Sequence, residues 1–516
     1  MSKQKTNYII LGGVAMMAIF AGCSKEVEQR SLPSFEPVAV ENDGGNWKTI
    51  LVGSPADITI SAPEAVGSAA YTAELQQIAD MQASITDTDK RAINKWKNSG
   101  IIRWNEIARK LVAVYNIPPE ANAEGNYPAP NANDPGAYPK FPFANPPYAS
   151  RAYAYLHVAI YDALVTTWKY KFQYNRKSPA AQGGAIKALE PLQEGLPSFP
   201  SEDAVVAQVS YRLLRVMFPN DSTMLAAERD EQKRAKVVSG VAAPSDIAAG
   251  EQIANQVVEK VLARYRTDGM GQAGGNPALW AEAKQAAIDR GLTMPWESLE
   301  KPARPGMLTF FGNVKQFLIT TSQRDSLRPP PPPAIGSAEF KEALAEVKRM
   351  SEIRSGEVWR IAQLWGDGAG TYTPPGHWNE IACKSIVANK FSELRTARTL
   401  ALMNMAIFDA GISCWDAKTY YYYPRPSQVD PSIKTIGLPN FPSYTSGHST
   451  FSAAAATVLG YIFPGESASF EAMALEAAES RIYGGIHYRF DSEAGLDCGK
   501  AIGSFAVKLG QRDGSN

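Results

Sequence analysis

Two stretches of this chain repeat each other at long range, and that repeat narrows the possible folds more than any local preference does. Trp104-Asn105-Glu106-Ile107-Ala108 returns as Trp378-Asn379-Glu380-Ile381-Ala382, and Ala159-Ile160-Tyr161-Asp162-Ala163 as Ala406-Ile407-Phe408-Asp409-Ala410. Around the second pair, Arg151 meets Arg398, Trp168 meets Trp415 and Lys171 meets Lys418. Further on, Phe199-Pro200-Ser201 pairs with Phe441-Pro442-Ser443, Phe218-Pro219 with Phe463-Pro464, and Asp246 and Ala249-Gly250 with Asp491 and Ala494-Gly495. Both copies read as helices. Residues 398–414 and 471–481 carry apolar side chains at three- and four-residue spacing, and the alanine-rich run 452–459 allows close helix packing. The expected fold is all-α: two packed helical bundles of about four to six helices each, from a degenerate internal duplication.

On this reading residues 46–270 form the first bundle and residues 371–516 the second. Residues 271–370 connect them and include the prolines 329–333, expected to form a stiff polyproline II spacer along the surface. Residues 116–147, rich in Pro and Asn, form a loop inserted in the first copy only.

The N-terminus is a separate matter. Lys3 and Lys5 precede an apolar run from Tyr8 to Ala21, as in a secretory signal. Ala21-Gly22-Cys23 resembles a bacterial lipoprotein signal, residues 1–23, in which Cys23 is lipidated; Ser24 then resembles outer-membrane sorting. Residues 24–45 read as a flexible tether. Export on a lipid anchor is therefore expected, at the periplasmic face or the cell surface. Of four cysteines only Cys383, Cys414 and Cys498 follow this segment, an odd number at wide spacing that argues against a disulfide scaffold and shows no zinc-type pairing. No later apolar run reaches the length of a membrane span. The net charge is zero, with no basic tract, which argues against nucleic-acid binding and makes any positive site local.

Such a site is written near the C-terminus. Lys418 is followed after six residues by Arg425-Pro426, then by Ser446-Gly447-His448, then by Ser480-Arg481 with His487 and Asp491. Two of the four histidines fall in these clusters. Arg425 and Arg481 match a multiply charged oxyanion because a guanidinium donates two parallel hydrogen bonds. Lys418 is expected to add a mobile point charge. Ser446-Gly447 precedes an apolar helical stretch, so its hydroxyl and backbone N–H groups should face an anion at a helix N-terminus. Gly447 allows close approach, and His448 is placed for acid–base work. His487 and Asp491 stand four apart, expected on one helix face, where the carboxylate would orient the ring and leave its other nitrogen free to ligate or attack. In the first copy only Lys171 and Asp246 persist. The position of His448 falls at Asp203, that of Arg481 at Lys236 and that of His487 at Ala242, so the first bundle is expected to lack the site.

Taken in order, the clusters resemble the pattern of the type 2 phosphatidic acid phosphatases and vanadium-dependent haloperoxidases: Lys-x6-Arg-Pro, Pro-Ser-Gly-His, Ser-Arg-x5-His-x3-Asp. Thr445 stands where that pattern has Pro, and Pro424 where the soluble haloperoxidase-like branch often has Trp. That branch is the one the chain most resembles, through Pro374 to Asn379, Cys414 to Lys418 and Ser480 to Asp491. The resemblance implies that Lys418, Arg425, Ser446, Gly447 and Arg481 hold vanadate or phosphate. It makes His448 the acid–base residue and His487, backed by Asp491, the vanadate ligand or the phosphate-attacking nucleophile. A haloperoxidase would use bound vanadate, hydrogen peroxide and a halide. An acid phosphatase would hydrolyse a phosphate ester through a phosphohistidine, with no cofactor. A non-catalytic oxyanion-binding surface lipoprotein is the third reading. His377 is expected either to line the cleft or to serve structure, and His157 to lie in the core. The sequence leaves the oligomeric state open.

Overall fold

The structure, a computed structural model, describes residues 35–97 and 99–515. The expected signal, Cys23 and the expected tether as far as residue 34 lie outside the described residues. The rest of that segment is docked and not a free tether: Val38 donates to the Lys390 carbonyl at 3.0 Å, the Val40 carbonyl accepts from Trp168 at 2.9 Å and Glu41 accepts from Arg395 at 2.6 Å. Among the described residues there are helices and turns but no strand, and no helix is long and apolar enough to cross a membrane.

The sequence repeat appears as a repeat of helices. Pro146–Tyr174 and Glu393–Tyr421 each run 29 residues. Glu202–Met217 matches Gly447–Ile462 at 16 residues, and Ser222–Val238 matches Ser467–Tyr483 at 17. Pro244–Arg266 and Arg489–Gly510 run 23 and 22 residues. In each copy the 16-residue helix stops at a Phe-Pro step, because proline lacks the N–H that the next helical turn needs. The same buried contacts recur. Arg151 donates to Asp268 and Arg398 to Asp513, both at 2.7 Å. Asp162 accepts the N–H groups of Ile50, Leu51 and Val52, and Asp409 those of Phe317, Leu318 and Ile319.

One sequence pairing changes. Ser201 and Ser446 cap equivalent helices, and their N–H groups donate to the Asp246 and Asp491 carbonyls at 3.0 and 2.9 Å. The counterpart of Phe441-Pro442-Ser443 is therefore Leu196-Pro197-Ser198, and the match to Phe199-Pro200-Ser201 is out of register. The repeated Phe-Pro-Ser letters hide this, because hydrogen bonds rather than letters fix equivalence.

The two 29-residue helices pack against each other, and one apolar core runs through both bundles. At its centre Asn105 donates to Asn379 at 2.7 Å, Asn379 to Asn404 at 2.8 Å, and Asn105 meets His157 Nε2 at 2.9 Å. His157 is fully buried, as expected, and burial pulls its pKa down to about 3. The connecting region is more than a spacer. It carries helices Pro277–Asp289, Ala338–Ile353 and Gly356–Leu364. Its proline run is pinned to the second bundle by hydroxyls of Tyr421, Tyr444 and Tyr423, which donate to the Pro329, Pro330 and Pro333 carbonyls at 2.6, 2.6 and 2.7 Å. Arg328 anchors its start on Asp416 at 2.6 Å.

Candidate active site

Lys418 sits in the last turn of the Glu393–Tyr421 helix, which ends where Tyr422 adopts a left-handed backbone with φ 50°. It is buried, and its ammonium donates to the carbonyls of Pro442, Ser443 and Thr445 at 2.8, 2.8 and 2.5 Å. An ammonium has three donors, so all are engaged. The expected mobile point charge is thus corrected to a fixed one, because the turn before Ser446 folds its carbonyls over Lys418. Burial pulls its pKa down to about 7.

Arg425 follows the same helix end. It donates from Nε to the Phe441 carbonyl at 3.0 Å, and from Nη1 to the Ile486 carbonyl at 2.7 Å and His487 Nε2 at 3.1 Å. Its Nη2 is buried without a partner. Arg481, in the last turn of Ser467–Tyr483, donates to Ser480 Oγ at 2.9 Å and the Ala362 carbonyl at 3.0 Å. Burial pushes both guanidinium groups down to about 10. Three buried cations converge beside two buried carboxylates, Asp491 and, on the Arg481 side, Asp367. Ionised groups taken out of water this way call for a counter-charge.

His487 and Asp491 meet, but not on a helix face as expected. The helix begins at Arg489, after the Gly484-Gly485 turn, with Tyr488 as N-cap and Asp491 in its first turn. Asp491 Oδ2 accepts the Tyr488 N–H at 3.2 Å and the His487 Nδ1 proton at 2.8 Å. A carboxylate at this position serves the helix N-terminus and the preceding histidine together. Burial, followed by Arg425 and Lys418, holds the His487 pKa well below the ordinary imidazole range. The ring is therefore neutral, with its proton on Nδ1 and a lone pair on Nε2 turned towards Arg425. Burial raises Asp491 to about 6.

Ser446 caps the Gly447–Ile462 helix, its hydroxyl accepting the Ser449 N–H at 3.4 Å. Its own N–H is spent on the Asp491 carbonyl, which corrects the expectation of a free donor there. Gly447 is buried at the helix N-terminus, where a Cβ would lie in ordinary contact with the Phe451 and Trp415 rings at 3.8 Å. His448 is half-buried, while the other residues of the three clusters are buried, so the site opens on its side. Its Nε2 is buried and unpartnered, and burial, with Arg481, holds its pKa well below the ordinary range.

Sequence reading missed the wall behind His448. Trp365 presents its backbone to the His448 ring, and His377 stacks on the Trp365 indole at 4.5 Å while bonding Asp367 at 3.1 Å. His377 thus braces this wall. Ser443 was also missed: its hydroxyl donates to Asp491 Oδ2. As a single serine in a turn it carries no signal of its own.

In the first copy the equivalent groups neutralise one another. Asp246 holds Arg176 and the Ala243 N–H, Lys171 pairs with Glu202 at 2.6 Å, and Lys236 lies between Glu190 and Asp203 at 3.0 and 3.4 Å. The second copy has the opposite balance. Its cationic excess and the unpartnered Arg425 Nη2 and His448 Nε2 fit a tetrahedral oxyanion.

Residues 398–514 match the PAP2 superfamily model. That match lies within the C-terminal bundle. The vanadium chloroperoxidase of Curvularia inaequalis is 27% identical to the chain over 205 residues, the match covering 32% of each protein, about a third of that relative's length. Among solved structures, a bacterial vanadium-dependent iodoperoxidase superposes with a TM-score of 0.54 at 27% identity, covering 70% of this chain and 91% of that one. An apo bacterial vanadium-dependent chloroperoxidase shares the fold at a TM-score of 0.51 and 14% identity, covering 72% of this chain and 95% of that one. The segment that the PAP2 model matches holds all three clusters.

Proposed function

We propose that this protein is a vanadium-dependent haloperoxidase-like enzyme that oxidises halide with hydrogen peroxide. Likeness to the iodoperoxidase over 91% of that chain carries this reading, because it spans both bundles and not the PAP2-matched segment alone. Arg425 and Arg481 bind the oxyanion oxygens, with Ser446, Gly447 and the N-terminus of their helix beside them. Lys418 acts through space, since its three protons are engaged. His487 Nε2 would be the ligand atom: Asp491 keeps the ring proton on Nδ1, and the Nε2 lone pair, which here accepts from Arg425 at 3.1 Å, would turn to the oxyanion. Bound vanadate supplies Lewis-acid activation of peroxide towards halide, with no redox change of its own. His448, neutral and with its buried Nε2 unpartnered, is placed to accept and return a proton at Nε2.

The same residues suit phosphate ester hydrolysis, with His487 Nε2 attacking phosphorus and His448 serving the leaving oxygen. One experiment separates these readings. Purified protein is incubated with orthovanadate, desalted and analysed for metal. It is then assayed for phenol halogenation with peroxide and a halide, and for aryl phosphate hydrolysis. Retained vanadium with halogenation is the expected result. Aryl phosphate hydrolysis without either selects the phosphatase, and vanadium retention without turnover selects a binding lipoprotein.

A further inference from the structure

We infer that Ser443 is a positioning residue for the oxyanion-ligating histidine, a role that rests on the site reading above. Ser443 is fully buried and tied at three atoms. Its N–H donates to the Tyr423 carbonyl at 2.9 Å, its carbonyl accepts from Lys418 at 2.8 Å, and its hydroxyl donates to Asp491 Oδ2. The hydroxyl also stands 3.4 Å from His487 Nδ1. Asp491 Oδ1 is buried and unpartnered, so Oδ2 alone carries the contacts that hold this carboxylate. Without the Ser443 hydroxyl, Oδ2 keeps only His487 and the longer Tyr488 N–H contact at 3.2 Å, and the carboxylate is held less firmly about its side-chain bonds. His487 would then lose the fixed acceptor that holds its proton on Nδ1.

The first copy supplies an internal control. Ser198 occupies the equivalent place, and its N–H likewise donates to a backbone carbonyl, that of Arg176, at 2.8 Å. Its hydroxyl, however, faces the Arg176 and Lys177 carbonyls at 3.4 and 3.3 Å and does not hold Asp246. There, Arg176 and the Ala243 N–H fix the carboxylate, and no histidine needs orienting. The serine is therefore common to both turns. Only in the copy with a histidine is its hydroxyl turned onto the carboxylate, so a need of the turn itself does not explain the contact.

The test uses the full chain and the variants Ser443→Ala, Ser443→Thr and Ser198→Ala. Inorganic phosphate and orthovanadate affinities are measured by calorimetry, and the ring nitrogens of His487 by 15N NMR without any anion. Ser443→Ala should weaken binding by about 10-fold or more, as lost second-layer support does at metal ligands. In the NMR spectrum it should turn a single Nδ1–H form into a mixture of tautomers. Ser443→Thr, which keeps the hydroxyl, should restore both, and Ser198→Ala should change neither. Wild-type affinity and a single tautomer in Ser443→Ala would overturn the assignment, and so would an equal loss in Ser443→Ala and Ser198→Ala. If the wild type binds neither anion, the oxyanion reading fails, while the NMR result still decides the role of Ser443. If Thr does not fit, Ser443→Cys, with a weaker donor, should give an intermediate tautomer ratio.

Discussion

Oxyanions should stabilise this protein thermally, by an amount the buried arginines set. Burial pushes Arg425 and Arg481 down to about 10. At about 1.4 kcal/mol per pKa unit, the charged forms cost the fold about 3 kcal/mol each, a ceiling rather than a sum. An anion between them recovers part of that cost. A recovery of about 3 kcal/mol equals the stabilisation expected at roughly 100 times the dissociation constant. For a chain this long, about 1–2 °C of melting temperature corresponds to each kcal/mol, so the rise should be about 3–6 °C. Differential scanning calorimetry in phosphate-free buffer, with and without orthovanadate or phosphate, measures it. Arg425→Ala removes the donor whose Nη2 is unpartnered, and should shrink the rise to below about 1 °C. If the wild type does not respond to either anion, or Arg425→Ala responds equally, the buried cationic excess is not an anion site.

Other perturbations have equally definite outcomes. Asp491→Asn should weaken oxyanion binding by roughly 10- to 100-fold by calorimetry, since it disturbs the proton on His487 Nδ1. Burial, then Asp203, raises Glu393 from 4.5 to about 8. Its contribution to stability is therefore full below pH 4.5 and is lost as pH rises through 8. Glu393→Gln keeps an acceptor for the Gly100 N–H, so it should flatten this dependence and raise the melting temperature at pH 8; an unchanged slope would mean that another group is responsible. Asp409→Ala strands the N–H groups of Phe317, Leu318 and Ile319. It should cost at least about 3 kcal/mol in urea unfolding or abolish soluble expression, and a loss below about 1 kcal/mol would show that water replaces the carboxylate.

Much of this molecule is legible in its letters. The paired segments around Trp104 and Trp378, and around Asp162 and Asp409, announce a duplicated helical fold because buried contacts keep their residue types. The order Lys418, Arg425, Ser446 to His448, Arg481, His487 and Asp491 announces an oxyanion site, because few other tasks need those charges together. It also sets the first copy apart, since Asp203, Lys236 and Ala242 stand there in place of His448, Arg481 and His487.

Tertiary structure decided how those groups are used. Lys418 is fixed because the turn at 442–445 brings three carbonyls to it, and sequence spacing cannot reveal which donors are already spent. His487 lies before its helix, not on it, because Asp491 acts at the helix N-terminus; i, i+4 spacing fits either arrangement. Ser443 and the Trp365–His377 wall contribute through hydrogen bonds and stacking between residues far apart in the chain. Periodicity and motif tell which side chains turn inward. Only packing determines which buried polar atoms find partners within the protein and which, like Arg425 Nη2 and His448 Nε2, are left without one.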